Sequence, residues 1–180
     1  SAENFTIEEM KTWVDYCHLY GVDVHVTVNT LVKEKEIESL KEYLKQLNEI
    51  GVDALIVQDM GAVEIIKKTV PDMTLHASTQ MTVTSLEGVK YLEDMGFSRV
   101  VLARELSEKE IEHICKNAKA EIEVFVHGAI CMCYSGQCLM SSILGGRSGN
   151  RGRCAQPCRL PYDLLENGKT VKSGYVLSPK

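Results

Sequence analysis

The sequence lacks the motifs that mark several common enzyme classes. No Gly-x-Gly-x-x-Gly follows a predicted strand, which removes the main support for a dinucleotide-binding domain. Neither His-Glu-x-x-His nor Gly-x-Ser-x-Gly occurs, so a zinc-protease helix and a serine elbow are both missing. Paired Cys-x-x-Cys knuckles are absent as well. The chain does contain seven cysteines, and five of them fall between residues 131 and 158.

Long apolar runs are also missing. No run approaches the roughly 20 residues that cross a bilayer, and the first residues do not resemble a secretory signal. We therefore expect a cytoplasmic protein without a membrane span, and the sequence leaves its oligomeric state open. Because cytosolic thiols stay reduced, the clustered cysteines indicate a metal site rather than a disulfide framework.

Charge is distributed unevenly along the 180 residues, whose net charge is −5. Residues 145–180 contain 7 Lys/Arg and 2 Asp/Glu, whereas residues 1–144 contain 13 and 23. A basic segment of this kind suits the phosphates of a nucleic acid. A flexible basic tail without any such role is the alternative.

Short β-branched runs alternate with amphipathic helical patterns. The clearest helix is predicted at residues 34–50, and capping boxes are predicted at Thr6 with Glu9, Thr84 with Glu87, and Ser107 with Glu110. A glycine ends three of the helices before the next strand begins. The predicted strands are residues 22–29, 53–59, 74–79, 99–104 and 121–128.

This alternation predicts an α/β fold with a parallel sheet, and a TIM-like (β/α) barrel is favoured. A closed barrel usually takes about 250 residues, so residues 1–128 are expected to form an incomplete barrel that lacks a first βα unit and the closing strands. An open half-barrel is the alternative. Residues 129–160 are predicted to be a Cys-rich metal-binding segment. Residues 161–180 read as a β-hairpin around Asn167-Gly168 that leads to a further part.

Polar residues follow each predicted strand, at the edge where such barrels carry their chemistry. Strand alternation places Glu123 and His127 inside the barrel and Val124 and Val126 under helices, with Arg104 as the expected partner of a buried Glu123. Glu123 could equally form a structural ion pair, and His127 could be a core histidine. The candidate catalytic residues are Glu123, His127, Arg104 and Glu105. The candidate substrate-binding residues are Asn29, Gln58, Asp59, His76, Ser78 and Gln80.

The cysteine spacing alone does not choose a metal. Four thiolates suit either tetrahedral zinc or a [4Fe–4S] cluster, and the intervals match neither usual spacing rule. Pro157 is expected to prevent a continuous helix through Cys154 and Cys158.

A specific motif resembles a known family. Glu123-x-Phe125-x-x-Gly128-Ala129-Ile130-Cys131, followed after four residues by Gly136-x-Cys138-x-Met140-Ser141, is similar to the signature of peptidase family U32. The resemblance implies a (β/α) barrel with a [4Fe–4S] cluster on four cysteines. The matching positions are Cys131, Cys138, Cys154 and Cys158, and Cys133 lies outside the signature. In some members the last ligand lies further along the chain, which leaves Cys158 open.

The same resemblance implies two kinds of activity. Some members are iron–sulfur proteins needed to hydroxylate rRNA or tRNA bases or a ubiquinone precursor, so RNA or a small aromatic molecule is the expected substrate. Others are described as collagenase-like peptidases, which would act either through a metal or through a Cys131–His127 pair, and a cluster on Cys131 excludes the cysteine pair. A zinc-stapled module without catalysis is a third hypothesis. Four arginines beside the cysteines suit RNA phosphates or the tuning of a cluster: Arg147, Arg151, Arg153 and Arg159.

Overall fold

The computed structural model describes residues 4–128, 131–175 and 177, and its main element is a five-stranded parallel sheet. The strand order follows the chain, from β1 to β5, so each strand pairs with its sequence neighbours. The strands are β1 His25–Val28, β2 Ala54–Val57, β3 Thr74–Ala77, β4 Phe97–Val101 and β5 Glu121–Glu123. The helices of this unit are α1 Ile7–Leu19, α2 Ile37–Glu49, α3 Met60–Thr69, α4 Leu86–Asp94 and α5 Glu108–Asn117.

The core lies between one face of the sheet and the helices. Alternate strand residues such as Leu55 and Val57 point to this face, as the two-residue period of a strand requires. Helix residues three or four apart, such as Leu44 and Leu47, meet them with no exposed surface. The opposite face is polar, and there the Arg99 guanidinium donates to the carboxylate of Glu121 at 2.8 Å.

All five predicted strands and their parallel pairing are present, but the closed barrel is not. Among the described residues β1 and β5 are the two edges of an open sheet. The observed arrangement therefore matches the open half-barrel that the sequence left as its alternative. Each strand is also shorter than predicted. After β2 and β3, Asp59 and Ser78 leave the ladder and cap the helix and the 3-10 turn that follow.

Most of the predicted helix boundaries are confirmed. Thr6 and Ser107 form complete capping boxes with the glutamates three residues later. The box predicted at Thr84 is wrong by one residue. Ser85 is the N-cap of α4, and its hydroxyl accepts from the amide of Gly88. The predicted helix at residues 34–50 begins as a 3-10 turn, Glu34–Glu36, before α2.

After β5 the chain has little regular structure until a terminal hairpin. A short helix, α6 Met140–Gly145, and two 3-10 turns, Gly149–Arg151 and Pro157–Arg159, lie in the Cys-rich segment. Pro157 begins its turn, so no helix joins Cys154 to Cys158. The predicted boundary at residues 129–130 lies outside the described residues.

The terminal hairpin is formed by β6 Tyr162–Glu166 and β7 Lys169–Gly174, which pair in antiparallel. Asn167 and Gly168 both have positive φ, as a type I′ turn requires. Val176, at the end of the predicted second strand, lies outside the described residues. Within the described part of the chain, no helix is both long and apolar enough to cross a bilayer.

Candidate metal centre

A cavity of about 770 Å³ lies at the carboxyl edge of the sheet. Its walls come from the ends of β3 and β4, from the residues after β5 and from the Cys-rich segment. The four cysteines that match the family signature all line it, two from the loop before α6 and two from the segment after α6. The lining residues are Thr79, Gln80, Arg104, Phe125, Val126, His127, Gly128, Cys131, Tyr134, Ser135, Gly136, Cys138, Met140, Gly149, Asn150, Cys154, Pro157 and Cys158.

Ser135 holds the first cysteine loop, residues 131–138, against the sheet. Its side chain is almost completely buried, at 2% exposure. Its hydroxyl accepts from Arg104 Nε at 3.2 Å and donates to the Glu105 carboxylate at 3.2 Å. Its amide also donates to Glu105, at 3.1 Å, and its carbonyl accepts from the Thr82 hydroxyl at 2.6 Å. The Thr79 hydroxyl also donates to the Ser135 hydroxyl, at 3.5 Å. We name Ser135 and these four partners the Ser135 cluster.

The sequence did not identify Ser135 as a functional residue. A serine among cysteines carries no periodic or motif signal that reveals its partners 30 and more residues away. Glu105 was predicted to be catalytic, and the structure gives it a contact that positions the cysteine loop. Its catalytic role stays a prediction.

Position 136 requires a glycine for two reasons, its backbone conformation and the close approach of another part of the backbone. Its φ is +72°, in the left-handed region that glycine adopts readily. A Cβ added here would also overlap the backbone carbonyl of Gln80. The cysteine loop therefore lies directly on the backbone of the turn after β3.

A second set of contacts holds the segment that leads to Cys154. Arg151 donates to both carboxylate oxygens of Glu36, at 2.6 and 3.0 Å, and to the carbonyl of Leu31 at 2.6 Å. The carbonyl of Asn150 accepts from the Leu31 amide at 3.0 Å and from Gln58 Nε2 at 3.1 Å. We name these five residues the Arg151 cluster.

The ion pair in this cluster changes both ionisation equilibria. Hydrogen bonding to Arg151 is the largest cause that lowers the pKa of Glu36 to about 2. The same pair raises the pKa of Arg151. The guanidinium of Arg151 is therefore engaged with Glu36 and Leu31. The roles in RNA binding or cluster tuning considered for the four arginines stay predictions.

The thiols differ in their surroundings. Burial is the main cause that raises the pKa of Cys133, and the neighbouring Cys138 thiol adds to it. Cys154 Sγ accepts a hydrogen bond from the Gln156 amide at 3.3 Å, a contact that suits a thiolate. In the part of the chain that the structure describes, no three His, Cys, Asp or Glu side chains surround one single-ion position.

The predicted pair of Glu123 and Arg104 is wrong. β5 ends at Glu123, whose side chain is exposed and lies 3.4 Å from Arg99 Nη1, while Arg104 bonds to Ser135. Because the strand ends early, the expected alternation also fails, and Val126 is 92% exposed rather than packed under a helix. His127 does line the cavity, as predicted for a residue of the site.

The predicted substrate-binding residues divide into two groups. Gln80 lines the cavity. Gln58 and Asp59 are engaged with backbone groups: Gln58 donates to the Asn29 carbonyl at 2.6 Å, and Asp59 caps α3 through Ala62 and also accepts from the Val32 amide. Asn29 Nδ2 donates to the hydroxyl of Ser78 at 3.5 Å. These contacts organise the loops, and substrate binding by these residues stays a prediction.

His76 lies away from the cavity lining, on the polar face of the sheet. Its ring meets His25 edge-on with centroids 4.6 Å apart. Burial is the main cause that lowers the pKa of His76 to about 4. The imidazole is therefore neutral near pH 7, and Nδ1 has no hydrogen-bond partner among the described residues.

The fold and the site together define an α/β protein whose sheet carries a cysteine-lined cavity at its carboxyl edge. The family model of peptidase family U32 matches residues 1–180, and the chain belongs to this family. The U32 peptidase Mk0906 has a similar fold, with a TM-score of 0.56 at 21% identity over 68% of this chain and 53% of that one.

Named relatives fall into two groups. The 23S rRNA 5-hydroxycytidine C2501 synthase of Escherichia coli is 44% identical over 93% of this chain and 25% of its own length. The tRNA hydroxylation protein P1 of Bacillus subtilis is 39% identical over 92% of this chain and 39% of its own. The collagenase of Porphyromonas gingivalis is 30% identical over the whole chain and 46% of its own length. The chain thus spans less than half the length of these relatives.

Proposed function

We propose that the protein containing this chain hydroxylates an RNA nucleobase, and that Cys131, Cys138, Cys154 and Cys158 hold an iron–sulfur cluster at the cavity. The observation that carries the proposal is the position of these cysteines. Two segments separated by α6 bring all four to the wall of one cavity, beside Arg104 and His127. Two polar clusters anchor these segments to the ends of the strands.

The donor set fits a cluster. Thiolates bind both zinc and iron–sulfur clusters, but a single zinc ion draws four sulfurs to about 2.3 Å from one point. A [4Fe–4S] cluster attaches each thiolate to a different iron, so its ligands lie further apart. The four cysteines line one cavity of about 770 Å³, which has room for a cluster. The choice of a cluster over zinc rests on the family resemblance rather than on the cysteine geometry.

When bound, an iron–sulfur cluster supplies one-electron redox chemistry. Three residues of the chain contribute charge stabilisation, a phosphate contact and a proton carrier. The Gln156 amide stabilises negative charge on Cys154 Sγ. Arg104 provides a cation that suits a phosphate group, and His127 provides an imidazole that can hold or move a proton at the cavity.

The relatives support an RNA substrate. Those with the highest identities quoted above are named for hydroxylation of rRNA and tRNA, and their similarity covers more than nine tenths of this chain. The chain spans 25% and 39% of these two relatives. We assign to this chain the cluster and one wall of the substrate site.

A peptidase is the second candidate, because the collagenase of Porphyromonas gingivalis and an uncharacterized protease of Methanocaldococcus jannaschii are also similar. Cys131 and His127 line the same cavity and could act as a nucleophile and its base. The two candidates exclude each other at Cys131, because a thiolate bound to iron is not a free nucleophile.

The proposal is tested by nucleoside analysis of RNA from cells that lack the gene. We expect one hydroxylated nucleoside to disappear, to return with the wild-type gene and to stay absent with Cys131→Ser. Cys115→Ser, on α5 outside the cavity lining, is the matched control and should restore the modification. Unchanged RNA together with accumulation of a quinone precursor would contradict the proposal. Peptidase activity that survives removal of iron but is lost in Cys131→Ala would favour the second candidate.

A further inference from the structure

Thr82 has a backbone conformation that does not suit its side chain. Its φ is +58° and its ψ is +46°, in the left-handed region, at the end of the 3-10 turn Thr79–Met81. Glycine or asparagine usually takes this conformation at the end of a helical turn, whereas a β-branched residue is strained there. Among the described residues, the other non-glycine cases are Gln156 and Asn167, and neither is β-branched. Such strain persists where surrounding contacts enforce it.

The Thr82 hydroxyl makes two hydrogen bonds to the first cysteine loop. It donates to the Ser135 carbonyl at 2.6 Å and accepts from Gln137 Nε2 at 3.1 Å. These two partners lie on either side of Gly136, where the loop lies on the backbone carbonyl of Gln80. One hydroxyl therefore holds both flanks of the closest approach between the loop and the turn after β3.

The part of the loop that Thr82 holds is a tight turn that leads directly into Cys138. The Gln137 amide closes this turn by donating to the Tyr134 carbonyl at 3.1 Å, and Gly136 has a φ of +72° at its third position. Cys138 follows Gln137 in the chain and lines the cavity. The position of the Cys138 thiol therefore depends on the turn that the Thr82 hydroxyl fixes.

The backbone around Thr82 is itself fixed to the sheet. Its amide donates to the Thr79 carbonyl at 3.1 Å, and the carbonyl of the next residue, Val83, accepts from the Ala103 amide at 3.0 Å, just after β4. Val83 is also part of the buried core. The segment that leads to Cys154 is held separately, by the Arg151 cluster. Thr82 therefore joins the sheet to one of the two cysteine segments.

We infer that Thr82 is a positioning residue for the iron–sulfur cluster, because its hydroxyl fixes the turn before Cys138 and thereby the place of the Cys138 thiolate. This inference rests on the proposed function, which includes the cluster. The hydroxyl carries the role rather than the left-handed backbone, since glycine adopts that backbone without strain. The contacts that orient a metal ligand affect both the retention and the electronic properties of the metal group. Loss of the hydroxyl should therefore change both.

Three substitutions separate the hydroxyl from the backbone in the full-length protein, purified without oxygen. Thr82→Val keeps the branched shape and loses the hydroxyl, Thr82→Ser keeps the hydroxyl, and Thr82→Gly suits the backbone but has no hydroxyl. We expect the valine and glycine variants to release iron to a chelator about tenfold faster than the wild type, because two hydrogen bonds that hold the loop are lost. The serine variant should stay within about twofold of the wild-type rate.

The electron paramagnetic resonance spectrum of the reduced cluster separates positioning from general stability. It should change in Thr82→Val and Thr82→Gly and match the wild type in Thr82→Ser. Thr12→Val, on α1, also loses a hydroxyl bond to a backbone carbonyl and is the matched control, with wild-type iron release and spectrum expected. Thr82→Gly carries the test if the valine variant does not fold. Wild-type iron release and spectrum in Thr82→Gly would overturn the inference, because the hydroxyl would then have no role.

Alkylation of the thiols in metal-free protein distinguishes failure of this inference from failure of the proposed function. Cys138 is half-buried, so its alkylation should become about tenfold faster in Thr82→Gly, while the rate at Cys154 stays unchanged. If the wild type contains no iron and sulfide but Cys138 shows this difference, the proposed cluster fails while the control of Cys138 by Thr82 stands. If the cluster is present but neither iron release nor alkylation responds, the inference alone fails.

Discussion

The sheet with its helices and the Cys-rich segment are held together by different forces. In the sheet unit, apolar residues such as Leu44, Leu47 and Ile66 have no exposed surface. Between residues 131 and 160 the buried residues are only Ser135, Ser141 and Pro157. The first region is stabilised by burial of apolar surface. The second depends on a few specific hydrogen bonds, so its order should be sensitive to single polar groups.

The largest effect is expected from a core residue of the sheet unit. Leu47→Ala should lower the free energy of unfolding by about 2–5 kcal/mol, because it removes a fully buried side chain and leaves a cavity. Denaturation in urea measures this loss. Leu19→Ala, at an 82% exposed position on α1, is the control and should change stability by less than about 0.5 kcal/mol. Similar losses in both variants would contradict the placement of the core.

Gly136→Ala should have the next largest effect, but only in the cysteine loop. The new Cβ overlaps the Gln80 carbonyl at a residue with positive φ, so we expect a local loss of at least about 2 kcal/mol. Hydrogen exchange should accelerate in residues 131–138 and stay unchanged in the sheet. Gly145→Ala has open space around its Cβ and should exchange like the wild type. Equal protection in both variants would show that the loop does not lie against Gln80.

Ser135→Ala should loosen the same loop by a smaller amount, about 1–2 kcal/mol. The substitution removes the hydroxyl that accepts from Arg104 and donates to Glu105. Limited proteolysis should then cut between residues 131 and 138 faster than in the wild type. Ser173→Ala, on the exposed hairpin, serves as the control. A cleavage rate unaffected by Ser135→Ala would show that the Ser135 hydroxyl does not hold the cysteine loop.

The two regions should lose stability at different pH values on acidification, because they contain groups with different pKa shifts. The pKa of His76 is lowered to about 4, so the unfolded chain binds a proton more readily and the sheet unit loses stability as pH falls from about 6.5 to 4. The pKa of Glu36 is lowered to about 2, so the Arg151 cluster weakens as pH falls below about 4.3.

This difference is measured by hydrogen exchange across the pH range. His76→Phe should abolish the loss of stability in the sheet unit between about pH 6.5 and 4. The exchange rates of residues 149–154 should not change. Glu36→Gln should weaken the segment at every pH and remove its dependence on acid below about pH 4.3. If hydrogen exchange accelerated in both regions at the same pH, the two regions would not depend on different ionisable groups.

The sequence predicted the sheet unit well because that unit is encoded by local patterns. Strands 53–59 and 74–79 and the helix over residues 34–50 follow from apolar spacing, and the capping boxes at Thr6 and Ser107 are found three residues from their partners. These signals need no knowledge of distant residues.

The site could be predicted only in part, because its contacts join residues far apart in the chain. The clustering of the cysteines predicted a metal site, which stays a prediction. Arg104 was expected to pair with Glu123 but bonds to Ser135, 31 residues away. Arg151 was expected to suit RNA phosphates or the tuning of a cluster, and no sequence pattern indicates its bond to Glu36, 115 residues away. Polar contacts between loops have no periodicity, so a single sequence does not reveal them.

The most direct test of the proposed metal centre is iron and sulfide analysis of the full-length protein, purified without oxygen, for one serine variant of each cysteine. We expect about four iron and four sulfide per wild-type chain, and a severe loss in variants of Cys131, Cys138, Cys154 and Cys158. Cys17→Ser and Cys115→Ser should retain the wild-type content. One zinc per chain without sulfide, or full iron content in all four variants, would contradict a cluster held by these residues.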